Sequence, residues 1–207
     1  MHAAVRAVLA IAIVAPLAPQ AVAQSRAKVD PDWPCQQIKT PTFSLASVWA
    51  GPPLDLNSQS WRNESDVAEL VAKMAQRRVP IADVEQAIAD FRAKAGSDAE
   101  TKLLRAFAAA FEDLSQQRSQ IIDGLDRFGR RQIALADRIR AENEAVQKTS
   151  AQNHDRLASP GDASQEQLLW DIRVYNDRRQ TARYVCEVPT LIEQRIGEIA
   201  RAVQKAL

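Results

Sequence analysis

Histidine and cysteine are scarce in this sequence, two of each in 207 residues, and there are only six glycines. Each shortage closes off a class of chemistry. His154 is the only histidine beyond the first few residues. No acid or nucleophile is arranged around it beyond its neighbour Asp155, so neither a proton relay nor a histidine-based metal site is expected. The glycines fall in no phosphate-cradling loop or dinucleotide fingerprint, and neither G-x-S-x-G nor H-E-x-x-H occurs. Asp30, Asp32 and Asp55 could offer carboxylates to Ca²⁺, but they lack EF-hand spacing and a surrounding acidic cluster. No enzyme activity, cofactor or metal is expected.

An excess of one charge is also missing: 27 Lys and Arg stand against 26 Asp and Glu. A balanced chain has no field to gather nucleic acid, which calls for a basic stripe, so nucleic acid is not an expected partner. Long apolar runs are absent too. The one candidate, Ala7 to Ala18, is interrupted at Pro16 and falls short of the roughly 20 residues a membrane span needs. With Arg6 before it and Ala21-Val22-Ala23 after it, it reads as a cleavable export signal over residues 1–23, cut after Ala23. That predicts a periplasmic protein with no transmembrane anchor. No cysteine follows the cut, so a lipid anchor is not supported.

The two cysteines, Cys35 and Cys186, lie far apart, with no C-x-x-C and no histidine nearby. In an exported chain this pattern predicts a structural disulfide; the rival reading is two free thiols with a redox or metal role. Closing so long a loop is worth about 5 kcal/mol on the chain-entropy estimate.

What is present in quantity is helical periodicity. From Ser97 to Ser150 one apolar row runs Leu104, Phe111, Leu125, Ile139, Val146, with Arg118 and Gln132 in the same register. A second row runs Phe107, Leu114, Ile121, Phe128, Leu135. Steps of three and four keep both rows on one face, the seam of a helix that packs beside another long helix. The partner is expected over 164–207, with Leu168, Ile172, Tyr175, Arg179, Ala182, Cys186, Ile192, Ile196, Ile199 and Val203 inward and Pro189 kinking or dividing it. Ser97 with Glu100, and Ser164 with Gln167, read as capping boxes. Arg118 is expected to snorkel outward along its stem, and Gln132 is either a relaxed layer or a register-setting polar group.

Two shorter helices are expected before these. The first, over 63–79, carries Val67, Leu70, Val71 and Met74 inward. The second, over 80–95, opens with Pro80 at its first position and closes at Gly96. Residues 24–62 differ in kind, with five prolines and three of the four tryptophans, Trp33, Trp49 and Trp61. Proline at this density prevents a regular helix, while the aromatics argue against disorder. This segment is expected to be an irregular arm laid on the helical body, with a possible brief strand at Phe43 to Trp49. The fold class is therefore all-α: a long antiparallel hairpin, two short helices and a Trp/Pro-rich arm.

If the long helices turn about Arg156 or Leu157, Cys186 lies level with Phe128 and Pro189 with Leu125. Gly124, Gly129, the proline and the disulfide then share one waist, where the glycines admit the arm. Beyond it, about residues 130–177 would project by roughly 30–40 Å. Two similar stretches, Arg130-Arg131 and Arg178-Arg179, are expected near this waist. Four guanidinium groups suit an anionic partner, unless Asp126, Asp137, Asp171 and Asp177 neutralise them. Trp33, Trp49 and Trp61 are either core cover or a platform for a partner protein.

Asp30-Pro31-Asp32-Trp33-Pro34-Cys35, Val48-Trp49-Ala50-Gly51-Pro52 and Arg77-Arg78-Val79-Pro80 resemble segments of a set of uncharacterised exported helical proteins of alphaproteobacteria. The likeness covers scattered motifs between residue 30 and about 140. It implies a periplasmic home and no activity. The function expected from the whole sequence is a non-enzymatic scaffold or adaptor that binds another envelope protein, with a homodimer compatible. A holdase chaperone with a coiled-coil arm is the alternative, and a small-ligand binder is the third reading.

Overall fold

The computed structural model describes residues 30–152 and 163–207. The expected export signal, residues 24–29 of the arm and the connection carrying His154 lie outside these. Four α-helices make up the body: α1 (Ser65–Ala75), α2 (Ile81–Ala95), α3 (Ala99–Gln152) and α4 (Ala163–Ala206). The described part of the arm, residues 30–64, is irregular apart from 3-10 turns at Leu45–Ser47 and Ser60–Asn63. The class is all-α, as the periodicity predicts, and the alternating run at Phe43 to Trp49 is a turn rather than a strand. Among the described residues no helix is long and apolar enough to cross a membrane.

The helix ends differ from expectation for local reasons. Helix α1 stops at Ala75, one turn before the expected 79. The guanidinium of Arg195 donates to the carbonyls of Met74 (2.9 Å), Val79 (2.9 Å) and Lys73 (3.4 Å), taking the place of further helical partners. A cation on the last carbonyls of a helix is favourable both as a donor and against the dipole. Burial pushes the Arg195 guanidinium below its usual pKa, and Glu198 works in the opposite direction. Pro80 precedes α2 as its N-cap rather than standing at its first position. Gly96 ends α2 at a φ of 59°, a conformation that favours glycine. Ser97 does not cap α3, because Gly96–Asp98 forms a 3-10 turn and α3 starts at Ala99. The described part of α4 begins at Ala163, and the segment before it lies outside the described residues.

The core occupies one end of the molecule. Val67, Leu70, Val71 and Met74 of α1 meet Val84, Ile88 and Phe91 of α2, Leu103 to Leu114 of α3 and Ile192 to Val203 of α4. Phe43, Leu45, Val48, Trp49, Leu54, Leu56 and Trp61 of the arm cover it. Beyond Leu114 and Ile192 the two long helices continue as a hairpin joined by a narrow seam. Ile122, Leu125 and Leu135 of α3 are buried there with Leu168, Ala182 and Cys186 of α4.

Polar layers punctuate that seam. Gln132 Nε2 donates to the Tyr175 carbonyl (3.3 Å), and Arg138 Nη2 lies 2.6 Å from Asp171 Oδ2. Asp171 is only 2% exposed, whereas Ile172, expected inside, is 37% exposed. Turning Asp171 inward to meet Arg138 rotates its apolar neighbour outward. These pairs, with Arg118–Glu193, place α4 one to two turns from the expected register. Cross-seam polar pairing sets the register here, and a symmetric turn is a poor guide to it. Pro189 is buried within a continuous α4 and does not divide it.

Candidate partner-binding cleft

Besides an ion pair between Arg130 and Asp32, the arm is tied to the hairpin at four places. Cys35 and Cys186 form a disulfide with a Cα–Cα distance of 5.6 Å across a sequence separation of 151. Gln37 donates its side-chain amide to the Cys186 carbonyl. Lys39 bridges Asp30 (2.8 Å) on the arm and Asp126 (2.7 Å) on α3. The bond from Asp126, followed by that from Asp30, holds the Lys39 ammonium above its usual pKa. Lys39, followed by the Asp32 amide, holds Asp30 below its own.

The fourth tie is Arg118. It does not snorkel out. It is 2% exposed and donates to Glu193 Oε1 (2.6 Å), the Thr40 carbonyl (2.6 Å) and the Pro41 carbonyl (3.3 Å), with Phe43 packed on its guanidinium. A seam position that looks like an interruption therefore fastens α3, α4 and the arm together. Ion pairing and a hydrogen bond from each guanidinium nitrogen explain how so buried a charge is tolerated.

One of the two expected glycine approaches is present. The arm backbone at Asp32 passes directly over Gly129, while Gly124 meets nothing nearer than Arg127 at 3.9 Å. Where arm and hairpin meet at Gly129 there is a cleft of about 620 Å³. Its walls are Trp33 and Pro34 of the arm, Phe128, Gln132 and Ile133 of α3, and Tyr175, Arg179 and Arg183 of α4, with the disulfide alongside.

The residues singled out by sequence divide clearly. Trp33 stands on the cleft, its indole donating to the Gln37 carbonyl at 2.7 Å. Trp49 stacks on Phe107 with ring centroids 4.5 Å apart, and Trp61 packs on the core beneath Arg62. Both spend their faces on the body of the protein. Of the four arginines, only Arg179 lines the cleft. Arg130 pairs with Asp32 at 3.5 Å, and Arg131 and Arg178 are exposed outside the lining. Three of the four aspartates expected to neutralise them are engaged elsewhere: Asp126 with Lys39, Asp137 with Arg140, Asp171 with Arg138. Asp30 and Asp32 face cations rather than one another, and Asp55 accepts from the Asn57 amide.

Sequence reasoning missed Arg183 and Arg140, which join Arg179 on the cleft wall. Arg183 stands four residues after Arg179, one helical turn on, and that spacing was available as a signal. Arg140 is held by Asp137, whereas Arg179 and Arg183 make no ion pair among the described residues. Gln132 is 9% exposed, and its Oε1 accepts no hydrogen bond. The cleft thus joins apolar walls, two guanidinium groups without an ion pair, the carboxylates of Asp32 (held by Arg130) and Glu187, and a buried acceptor. Comparison with protein-family models, curated proteins and solved structures finds no match to this chain.

Proposed function

We propose that this protein is a non-enzymatic periplasmic adaptor that holds a segment of another envelope protein in the cleft between the arm and the hairpin. The observation that supports this reading is the cleft's unspent polar capacity: Arg179 and Arg183 make no ion pair among the described residues, even with Glu187 on the same lining, and the buried Oε1 of Gln132 has no donor. A peptide supplies both complements at once. A backbone N–H donates to Gln132, an acidic side chain accepts from the guanidinium forks, and an apolar side chain lies on Trp33 and Phe128. A disulfide linking the arm to α4 fits an oxidising compartment such as the periplasm.

The test is capture from native periplasmic extract on the oxidised protein, run beside Trp33→Ala and the double variant Arg179→Glu, Arg183→Glu. One or two partners at fixed stoichiometry, lost with both variants, support the adaptor. A broad set of unfolded proteins retained by all three forms replaces it with the holdase reading.

A further inference from the structure

About a quarter-turn around α4 from its contact with α3, a second set of rows faces solvent. Trp170, Asp177, Tyr184 and Leu191 recur every seven residues, and Val174, Thr181 and Val188 fall four residues after the first three. Trp170 is 59% exposed, Tyr184 70% and Leu191 54%, with Val174 and Val188 half-buried beneath them. This is the spacing of a second heptad seam. Continued by seven residues, the valine row reaches Arg195, which is buried under the connection between α1 and α2. At the core end this face of α4 is therefore covered by the protein itself. From Leu191 back to Ala163, about 40 Å of helix, none of the described residues covers the exposed row of Trp170, Tyr184 and Leu191, and only Val188 reaches the core.

We infer that the exposed seam of α4 is covered by the same seam of a second copy, running antiparallel. One register pairs Trp170, Val174, Tyr184 and Val188 together in a single set of layers. Placed with its two-fold axis at Arg179, Trp170 meets Val188 of the second copy, Val174 meets Tyr184, and Asp177 meets Thr181. The axis makes each layer twice. Two layers set apolar groups on apolar groups; the third sets Asp177 beside Thr181, whose hydroxyl now donates to the Asp177 carbonyl of its own helix (3.0 Å), and the outermost lays Leu191 on the stem of Gln167. A parallel pair would instead set Asp177 against Asp177, two like charges in a seam. The cleft lies on the other side of α4, so pairing leaves it open.

Sedimentation equilibrium of the oxidised protein, from low to high micromolar, is expected to show a reversible dimer. Tyr184→Glu, with helicity and disulfide intact, is expected to weaken it by about tenfold or more, as for an aromatic at an interface centre. Register is read separately. Val174→Cys and Tyr184→Cys, mixed and oxidised, are expected to give a linked dimer that neither gives alone. A wild-type monomer throughout, a dimer indifferent to Tyr184→Glu, or self-linking of either variant alone would overturn the inference. Partner capture through Trp33 and Arg179 is unaffected by Tyr184→Glu on this account, so failure here is distinguishable from failure of the adaptor reading.

Discussion

The carbonyl oxygen of Asp32 stands 1.7 Å from the point a β-carbon on Gly129 would occupy. Only glycine lets the arm backbone lie on α3 at this height, and the obstacle is main chain that no rotamer change removes. Gly129→Ala is therefore expected to destabilise the protein by about 1–3 kcal/mol through overpacking, despite the better helix propensity of alanine. Gly124→Ala, in the same helix but in open space, is expected to stabilise it by about 1 kcal/mol. Urea unfolding of the pair reads the difference, and equal effects would remove the special status of Gly129.

Arg118 carries a second prediction. Replacing it by Ala deletes donors to Glu193, Thr40 and Pro41 and leaves those acceptors facing a void. A loss of about 3 kcal/mol is expected. Hydrogen exchange should rise at residues 38–43 before it rises in α1. A substitution without effect on arm exchange would mean that the disulfide alone fixes the arm.

Acid and base should act on the Lys39 bridge in opposite ways. The folded pKa of Asp30 is lowered, so its contribution is present above the unfolded value near 3.9 and is lost as pH falls through the folded one. The folded pKa of Lys39 is raised, so its contribution is complete below about 10.4 and is lost as pH rises through the folded one. Between these limits arm attachment should not vary with pH on this account. Lys39→Met is expected to reduce the loss at both extremes, measured as arm protease sensitivity against pH.

Reduction of Cys35–Cys186 opens the longest loop in the fold. Two thiols should alkylate only after reductant, and stability should fall by about 2–5 kcal/mol. Alkylation of both without reductant would contradict the stapled arm.

Much of this architecture could be read from residue types and spacing. The apolar stripe of α3 is buried where expected at Phe107, Leu114, Leu125 and Leu135. The cysteine pair, the arm laid on the body and the approach at Gly129 also follow from local chemistry. What escaped is pairing between distant segments. Periodicity marks Arg118 and Asp171 as positions in or beside a seam, but their partners lie on other elements and cannot be inferred from spacing. The cleft escaped for the same reason, since Arg140, Arg183 and Trp33 converge only once the hairpin register and the disulfide are known. The second face of α4 is legible in the seven-residue recurrence of Trp170, Tyr184 and Leu191, though the first stripe is the longer and more apolar of the two.

The adaptor reading is tested most directly by a photocrosslinking residue at Ile133, which lines the cleft and is 41% exposed. Illuminated with periplasmic extract, the oxidised protein is expected to link to one protein through a segment bearing an acidic residue, and Arg179→Glu with Arg183→Glu should abolish the link. Links spread over many unfolded proteins, or a single link that survives the double variant, would contradict it.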